Sequence, residues 1–541
     1  MNRKEHLERL KNEDFDVCII GAGASGAGCA LDAQLRGLKV ALIEKEDFAS
    51  QTSSKSTKLI HGGVRYLEQA FKKLDFGALK QVRHGLEERH IVLKNAPHLT
   101  RPLALLTPCY SWFEGLYFTI GLRIYGLFAK NDPLPKSKWL NKKESLLRIK
   151  GLHNKIHSAV MYYDGQLDDA RYCTMLVKTA AENGAAVCNH LEVIDFQYNT
   201  DGKIKSVGVK DDFGTDIFEI KAKVFINCTG PFADKIRLLA NPNLPKRVTQ
   251  SKGSHLILPQ SVMGTAENAM LIPKTSDGRV VFAIPWEGEI LLGTTDTPYS
   301  EEKEEPTINN EEINYLLETL NRYLTIPATA SQVKAGFSGL RPLLSTAGRD
   351  TKSLSRDHEI EIDEKSGLVS LMGGKWTTYR LMAKDTIDAI CKILKINVLC
   401  GTENQILAGG AQYNFEDWKK LAIEFGIDED IAQHLMKKYG SRAKVVLAEN
   451  STLMRTRLSE KYPYTAAEIA YVAKEEMACT LRDALGRRIR LEFTDWAACL
   501  AAIPLAADVM AAILGWNDSE KQQHIDSYRN ELLAFQSEAK N

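Results

Sequence analysis

Three glycines near the start of the chain form a turn that could hold phosphate groups. An apolar run at residues 15–20 leads into Gly21, Gly23 and Gly26, and a second apolar run at 40–43 ends at Glu44. The first glycine permits a tight turn, the second lets a pyrophosphate approach the backbone, and the third lets a helix pack closely on a strand. The helix N-terminus favours bound anions. Glu44 would accept hydrogen bonds from ribose hydroxyls and disfavours a 2′-phosphate, so the sequence predicts an adenine dinucleotide site.

The segment that follows Glu44 favours a flavin dinucleotide over a nicotinamide one. Residues 52–67 read TSSKSTKLIHGGVRYL and are rich in small hydroxyl and glycine residues. Such a loop can run beneath an isoalloxazine ring and its pyrophosphate, whereas a nicotinamide-binding domain has no need for it. Two later segments, 224–231 and 373–380, each fit an apolar strand that runs into a Gly/Thr turn. They would return distant parts of the chain to a bound FAD.

A series of short motifs extends over nearly the whole chain. After the glycine turn they are STKLIHGGVRYLE (56–68), INCTGPFAD (226–234), SKGSHL (251–256), GLRPL (339–343), SRDH (355–358), GGKWTTYR (373–380) and DALGRRIRL (483–491). In this order they resemble the FAD-dependent glycerol-3-phosphate dehydrogenases of the aerobic, quinone-linked type. The resemblance implies oxidation of sn-glycerol-3-phosphate to dihydroxyacetone phosphate by hydride transfer from C2 to flavin N5, with electrons passed to a membrane quinone.

The predicted FAD contacts lie in these motifs and beside Glu44. They are Gly21, Gly23, Gly26, Glu44, Lys45, Ser53, Ser56, Thr57, Leu59, His61, Gly62, Gly230, Lys375 and Thr377.

The resemblance also implies a cluster of cations at the substrate, because a phosphate dianion is poorly held by a single charge. The predicted members all lie in the matching motifs: Arg65, Arg341, Arg356 and Lys375. We assign Arg65, Arg341 and Lys375 to the catalytic group as well as to substrate binding. For Arg356, a local ion pair with Asp357 is the alternative.

Two histidines compete as acceptor of the substrate hydroxyl proton. Imidazole can take a proton near neutral pH, and His255 follows a flexible turn at the start of the predicted substrate domain. His255 is therefore the predicted base and a substrate-facing residue. His61 is the alternative, although the two glycines after it favour packing against the cofactor. Tyr66 would either donate a hydrogen bond to the substrate or pack in the core.

A chain of 541 residues is too long for one core, so two or three domains are expected. The patterns predict the α/β class: an FAD-binding Rossmann-like domain of the glutathione-reductase type, an antiparallel β-sheet substrate (cap) domain and a C-terminal α-helical domain. The FAD-binding domain would be discontinuous, over residues 1–80, 150–245 and 345–395. The cap would cover residues 246–344, the helical domain 396–541, and a helical segment 81–149.

Residues 103–130 are the most apolar stretch and are rich in aromatic side chains. Pro108, Glu114 and Arg123 interrupt it, so it offers no clean run that could span a membrane. It is either a buried helix pair or an interfacial helix whose aromatics anchor at the headgroup level. Lysines that follow it would favour an anionic leaflet: Lys130, Lys136, Lys138, Lys142 and Lys143. The resemblance to a quinone-linked enzyme favours the interfacial helix.

The composition is that of an ordinary globular protein, with 44% hydrophobic residues, 26% charged residues and a net charge of +1. The ten cysteines are scattered without a C-x-x-C pair, which predicts no metal site and a reducing compartment. Residues 1–14 are charged and lack the apolar core of a secretory signal. We expect a cytoplasmic protein that is peripheral on the inner face of the cell membrane and has no nucleic-acid partner. A homodimer is an open alternative.

The sequence leaves other functions open. A glycerol-3-phosphate oxidase would pass the electrons to O2 and form H2O2, and the residues discriminate poorly between the two acceptors. A flavin-dependent nucleic-acid-modifying protein is disfavoured by the balanced charge. A non-catalytic FAD-binding scaffold is disfavoured by the predicted cations and histidine. A related enzyme type with an added iron–sulfur region is disfavoured by the cysteine spacing.

Overall fold

The structure is a computed structural model of the 541-residue chain. It describes every residue except 64–75, 129–133, 215, 265–266, 274, 276–278, 302, 345–357, 449–452, 454 and 541. The strands in the described part of the chain are β1 (Asp14–Ile20), β2 (Val40–Ile43), β3 (Leu59–Ile60), β4 (Thr100–Cys109), β5 (Lys138–Asn141), β6 (Ser158–Leu167), β7 (Ala186–Cys188), β8 (Leu191–Tyr198), β9 (Ile204–Asp211), β10 (Ile217–Asn227), β11 (Val248–Pro259), β12 (Asn268–Ile272), β13 (Val281–Trp286), β14 (Glu289–Gly293), β15 (Thr297–Tyr299), β16 (Ala335–Leu344), β17 (His358–Ile362) and β18 (Val369–Gly373). The α-helices there are α1 (Arg3–Asn12), α2 (Ala24–Leu35), α3 (Phe76–Asn95), α4 (Trp112–Phe128), α5 (Lys142–Arg148), α6 (Asp169–Glu182), α7 (Ala233–Ala240), α8 (Asn310–Asn321), α9 (Tyr379–Leu394), α10 (Trp418–Phe425), α11 (Glu429–Tyr439), α12 (Ala443–Ala448), α13 (Ala466–Glu475), α14 (Trp496–Leu514) and α15 (Asp518–Glu538).

The first sheet has a parallel centre in the order β18-β10-β1-β2-β7. The carboxyl-terminal halves of β1 and β10 and all of β2 are buried, because both faces of the sheet are covered there. Val17 and Ile19 of β1 pack into the core that contains α2, α6 and α9, while Cys18 and Ile20 pack into a second core on the opposite face. The chain passes from β1 to β2 on one side and β10 lies on the other, so a crevice opens at the carboxyl end of β1. Ligands bind at such switch points in open α/β sheets.

The second sheet has the order β15-β11-β14-β13-β12-β4-β6-β3, with β16 also paired to β11 and β5 to β6. Its pairs are antiparallel except for β12 with β4. The predicted hairpin is confirmed, because β13 and β14 pair through the turn at Glu287 and Gly288. The α/β class, the antiparallel second sheet and the helical C-terminal region are likewise as the sequence predicts.

The prediction of a helical segment over residues 81–149 is wrong in part. Helices α3, α4 and α5 are present, but β4 and β5 lie between them and belong to the second sheet. Strand β6, which we predicted within the FAD-binding stretch 150–245, also pairs with β4 in that sheet. These strands are largely buried on both faces, so they lack the alternation of polar and apolar residues that identifies a half-buried strand.

The helical C-terminal region packs against both sheets. Among the described residues, one helix, α14, has the length and apolar composition to cross a membrane. Cys499 and Ile503 of this helix are fully buried in the protein core, and the Cys499 thiol contacts the Tyr528 hydroxyl of α15. A core helix of a folded domain meets the same criteria of length and composition, and the packing of α14 is of that kind.

Candidate active site

The glycine turn lies in the crevice between β1 and α2. Gly21 has φ +99°, and a Cβ there would come within 2.8 Å of the Cys228 carbonyl oxygen. A Cβ on Gly26 would overlap the Gly21 carbonyl oxygen, which shows how closely the helix approaches the strand. Gly23 precedes the first turn of α2 and gives it no side-chain cap. The N-terminal amides of α2 therefore face a crevice suited to a pyrophosphate.

Glu44 and Lys45 follow directly after β2 at the same edge of the sheet. The Glu44 Oε2 accepts a hydrogen bond of 2.7 Å from the backbone N–H of Ala22. Burial raises the pKa of the Glu44 carboxyl to about 7, although two backbone N–H groups that bond to it act in the opposite direction. Lys45 forms ion pairs with Glu192 and Glu304 at the rim of the crevice. The acid thus lies beside the glycine turn, where a ribose would be bound.

The hydroxyl-rich segment 50–63 continues along the same cavity and is held from several sides. The Ser53 Oγ accepts from the backbone N–H of Ala24 at 2.9 Å, and the Trp376 Nε1–H donates to the Ser53 carbonyl at 3.1 Å. The Thr52 hydroxyl donates to the Leu340 carbonyl of β16. These contacts tie the segment to α2, to the predicted GGKWTTYR turn and to the second sheet.

A buried ion pair lies behind this segment. The Lys58 Nζ donates to the Asp169 carboxylate and to the Ser54 carbonyl, each at 2.7 Å. Asp169 also accepts from the backbone N–H and the hydroxyl of Ser56. Burial lowers the pKa of Lys58 to about 7 against the opposing effect of Asp169. The Ser56 hydroxyl, predicted to bind FAD, is therefore engaged by Asp169.

The C-terminal region supplies arginines to the same segment. Arg490 donates to the Ser54 carbonyl at 2.7 Å and lies 3.3 Å from Asp169, and Arg488 forms a fully buried pair with Asp47. Arg482 bonds to Glu305, which in turn accepts from Lys55 on the cavity wall. The motif DALGRRIRL, which carried the resemblance without an assigned role, therefore holds the cofactor-binding segment in place.

Three strands of the second sheet form the opposite wall. His255 and Gly253 lie on β11, Gly293 on β14, and Arg341 on β16. A Cβ on Gly253 would overlap the Arg341 guanidinium, and a Cβ on Gly293 would overlap the His255 ring. The site side chains therefore lie flat across neighbouring strands, and only glycine leaves them that space. From the sequence, Gly253 was interpreted only as part of a flexible turn, and Gly293 was not predicted at the site. Neighbours across strands cannot be identified from their positions along the chain.

His255 is 2% exposed and is held in one orientation. Its Nε2 lies 2.9 Å from the Thr57 Oγ1, and its ring stacks on Phe337 at 5.0 Å between ring centroids. Burial holds the pKa of His255 well below its usual range, with smaller contributions from the nearby charges of Lys58 and Arg341. The imidazole is therefore neutral near pH 7, and one of its ring nitrogens carries a free lone pair.

The two described cations of the predicted substrate group lie on the cavity wall. The Arg341 guanidinium bonds to Asp296 at 3.1 Å and to the Thr294 hydroxyl and the Thr295 carbonyl at 3.0 Å. The Lys375 Nζ donates to the Gln81 Oε1 at 3.3 Å. Three other predicted substrate residues lie outside the described part of the chain: Arg65, Tyr66 and Arg356.

These elements enclose one cavity of about 750 Å³. Its walls include His255, Arg341 and every described residue of the predicted FAD group except Gly26, whose place is between helix and strand. The glycine turn, the N-terminus of α2 and the small side chains of segment 50–63 fit a flavin dinucleotide, and the volume lies in the usual range for cofactor sites. The residues present therefore fit FAD.

A cluster of Asp47, His190 and Asp483 has the side chains of a metal site. However, Asp47 is paired with Arg488, and Asp483 bonds to both His190 and Arg487. The guanidinium groups of Arg487 and Arg488 already pair with the carboxylates that would bind a metal ion, so this cluster is an ion-pair network.

Known proteins share this architecture over nearly the whole chain. The solved glycerol-3-phosphate dehydrogenase from Bacillus halodurans, complexed with FAD, matches with a TM-score of 0.79 and 30% identity, covering 98% of this chain and 97% of that one. A family model described as FAD dependent oxidoreductase matches residues 16–388, and one for the C-terminal domain of alpha-glycerophosphate oxidase matches residues 400–521. The probable mitochondrial glycerol-3-phosphate dehydrogenase of Caenorhabditis elegans is 40% identical over 97% of this chain and 74% of its own length.

This chain belongs to the FAD-dependent glycerol-3-phosphate dehydrogenase family. The mitochondrial glycerol-3-phosphate dehydrogenase of Homo sapiens is a relative at 39% identity, over 98% of this chain and 75% of that protein. An L-alpha-glycerophosphate oxidase from Mycoplasma pneumoniae, with FAD bound, shares the fold at a TM-score of 0.56 and 18% identity, covering 72% of this chain and 96% of that one. As a member of this family, the protein is an FAD-dependent oxidoreductase.

Proposed function

We propose that this enzyme oxidises sn-glycerol-3-phosphate to dihydroxyacetone phosphate and passes the electrons to a membrane quinone. The observation that carries the proposal is a single cavity in which a dinucleotide turn lies at one end and Arg341 and His255 lie on the facing sheet. The names of relatives at 39–40% identity support the same substrate. Bound FAD supplies the two-electron chemistry, as the acceptor of the hydride that leaves C2.

The chain's own residues bind the substrate and take its hydroxyl proton. Arg341 offers a planar fork that matches phosphate oxygens, and Lys375 adds a second positive charge on the cavity wall. His255, neutral in its buried position, accepts the proton. Arg65, Tyr66 and Arg356 remain predictions that rest on the motifs alone.

The direct test is anaerobic flavin reduction. We expect the purified yellow protein to lose its visible flavin absorbance rapidly when sn-glycerol-3-phosphate is added without oxygen. A water-soluble quinone should then restore the absorbance faster than air does. Glycerol without phosphate is the matched control and should leave the flavin oxidised. A flavin that stays oxidised with sn-glycerol-3-phosphate would remove the substrate from the proposal, and faster reoxidation by air would assign an oxidase.

The glycines behind the two site residues allow a test of the separate roles of Arg341 and His255. Gly253→Ala should displace the Arg341 guanidinium and raise KM, whereas Gly293→Ala should displace the His255 ring and lower kcat. We expect each effect to be about 10- to 100-fold, because small displacements of positioned groups cost that much. Flavin content should be unchanged, since neither glycine belongs to the dinucleotide turn.

Steady-state kinetics of both variants measure this division, with Gly121→Ala, whose Cβ would meet no atom within 4 Å, as the control. Equal effects of the two variants on kcat and KM would contradict the assigned roles.

The membrane part of the proposal rests on helix α4. Its buried face carries Gly115, Thr119, Leu122 and Tyr125. Its opposite face exposes a row of large apolar side chains at helical spacing: Trp112 (54%), Phe113 (78%), Leu116 (37%), Tyr117 (51%), Ile120 (51%) and Leu127 (79%). Contiguous apolar patches of this kind indicate interaction surfaces, and aromatic side chains suit the headgroup level of a bilayer. Of the two alternatives for this segment, a buried helix pair and an interfacial helix, the exposed apolar face of α4 favours the interfacial helix.

Basic side chains near this helix support an anionic surface as the partner. Of the lysines predicted to follow it, Lys130 lies outside the described residues, and the others are exposed: Lys136, Lys138, Lys142 and Lys143. Lysines beside an inserted apolar face add attraction to anionic lipids. We therefore propose a cytoplasmic protein held on the inner face of the cell membrane through α4.

Replacing Phe113 and Tyr117 with serine should release the protein from anionic vesicles. Burial of one large apolar side chain contributes about 1.5–3 kcal/mol, so loss of the pair should lower the vesicle partition coefficient at least about tenfold. Cosedimentation measures this. The control is the pair Leu399→Ser and Ile423→Ser, which removes two side chains that are 87% and 85% exposed elsewhere. Equal vesicle binding by both double variants would contradict the role of α4.

A glycerol-3-phosphate oxidase is the second candidate. The observation in its favour is the match of residues 400–521 to a domain model named for alpha-glycerophosphate oxidase. The exposed face of α4 favours the quinone, because an oxidase that uses dissolved oxygen needs no membrane contact. Peroxide yield per substrate oxidised in air separates the two.

A further inference from the structure

Thr57 and His255 lie side by side on the wall of the cavity. The imidazole is 2% exposed, whereas Thr57 is partly exposed and lies on the wall of the same cavity. The Thr57 Oγ1 lies 2.9 Å from the His255 Nε2. A substrate in the cavity can therefore reach the threonine hydroxyl beside the ring nitrogen, and Thr57 is the more exposed of the two residues.

The other ring nitrogen cannot take over this role. The His255 Nδ1 is buried and has no hydrogen-bond partner among the described residues. Stacking on Phe337 and close contact with Gly293 hold the ring in its plane. We therefore assign proton exchange between this imidazole and the cavity to Nε2, the atom at hydrogen-bond distance from the Thr57 hydroxyl.

The backbone on both sides of Thr57 is held in place. Ser56 donates to Asp169 through its backbone N–H at 3.0 Å and its hydroxyl at 2.7 Å, and the Lys58 Nζ donates to the same carboxylate at 2.7 Å. Both flanking residues therefore share one buried acceptor. This holds the segment in the position that places the Thr57 hydroxyl at hydrogen-bond distance from His255.

We propose that Thr57 is a catalytic residue, whose hydroxyl relays the proton of the substrate C2 hydroxyl to the Nε2 of His255. This inference rests on the proposed function and assigns a role that the sequence did not, since Thr57 was predicted only as an FAD contact. In the tautomer of the neutral imidazole that carries its proton on Nδ1, Nε2 accepts the hydrogen bond from the threonine.

With bound FAD as the acceptor of the hydride, the step needs no further reactant. The C2–H bond breaks and its electron pair leaves as hydride to the flavin, while the C2–O bond becomes a carbonyl. The hydroxyl proton of the substrate passes to the Thr57 Oγ1, and the proton already on Oγ1 passes to the His255 Nε2. Thr57 ends the step unchanged, His255 has gained one proton, and the substrate has lost one hydride and one proton.

The test compares Thr57→Val, which keeps the shape of the side chain without the hydroxyl, with Thr57→Ser, which keeps the hydroxyl. The holoenzyme is mixed anaerobically with saturating sn-glycerol-3-phosphate, and the rate of flavin bleaching is followed in H2O and in D2O. We expect Thr57→Val to slow reduction about 100-fold, as for loss of a positioned proton-transfer group, and Thr57→Ser to stay within about threefold of wild type.

Two further readouts separate a relay from a structural role. Bound flavin per protein should be equal in all variants, and so should the dissociation constant for dihydroxyacetone phosphate, measured from the change in the flavin spectrum on binding. The solvent isotope effect on reduction seen in the wild type should be kept in Thr57→Ser and changed in Thr57→Val. If Thr57→Val loses its flavin, Thr57→Ala, which only removes atoms, takes its place in the comparison.

The outcomes distinguish this inference from the proposed function. Rapid bleaching in both wild type and Thr57→Val overturns the relay alone. Equal slowing in Thr57→Val and Thr57→Ser also overturns it, because the hydroxyl is then not the group that matters. A wild-type flavin that stays oxidised with sn-glycerol-3-phosphate overturns the proposed function and the relay together.

Discussion

Gly23→Val should give a protein that folds but purifies without its flavin. Gly23 lines the cavity directly before α2, and a Cβ there would come within 2.9 Å of the Ser53 Oγ. The larger valine side chain would also fill the space through which a pyrophosphate approaches the backbone. We expect bound flavin per protein to fall at least about tenfold, because the backbone amides of this turn are the main anion site.

Absorbance at the flavin and protein maxima of the purified sample measures the result, and circular dichroism reports whether the fold is kept. Gly401→Val is the matched control, since Gly401 is exposed and its Cβ would meet no atom nearer than 3.9 Å. Full flavin content in Gly23→Val would contradict the assignment of the turn to the cofactor.

Arg341→Ala should weaken binding of the substrate phosphate. Arg341 lies on the cavity wall. Its guanidinium is held by the Asp296 carboxylate, the Thr294 hydroxyl and the Thr295 carbonyl. A hydrogen bond to a charged group contributes about 1.5–3 kcal/mol, so loss of the fork should raise KM for sn-glycerol-3-phosphate about 10- to 100-fold. The protein should stay yellow, because Arg341 comes from the second sheet and not from the dinucleotide turn.

Initial rates over a range of substrate concentrations measure this KM. Arg341→Lys should recover part of the loss, since lysine keeps the charge but not the two-pronged geometry. Arg529→Ala, which removes an exposed arginine from α15, is the control for lost positive charge. An unchanged KM in Arg341→Ala would show that the phosphate binds elsewhere in the cavity.

The dinucleotide end of the site could be read from the sequence because its geometry is local. Gly21, Gly23 and Gly26 lie within six residues of one another. A Cβ on any of them would come within 2.9 Å of a neighbouring atom, so each position favours glycine. Glu44 follows β2 by one residue, and the parallel register of β1 with β2 brings it beside the turn. Backbone conformation and strand order over some thirty residues decide the positions of the three glycines and Glu44. One short stretch of sequence is therefore enough to predict this end of the site.

The second sheet was predicted less completely. The hairpin of β13 and β14 was predicted because a short turn joins two adjacent strands. Strand β4 was assigned to a helical segment and β6 to the FAD-binding domain, because both strands are largely buried and carry no period-two pattern. The partners of these strands in the sheet, such as β12 for β4, lie far away along the chain.

The sequence by itself determined the flavin dinucleotide turn and the α/β class, and it singled out part of the residues that line the cavity. Only the tertiary structure showed that Arg490 reaches the Ser54 carbonyl across 436 positions and that His255 meets Thr57 across 198. It also decided which face of α4 is exposed. Local propensity and backbone geometry act over a few residues, whereas these contacts depend on how strands and helices distant in sequence are brought together when both sheets fold.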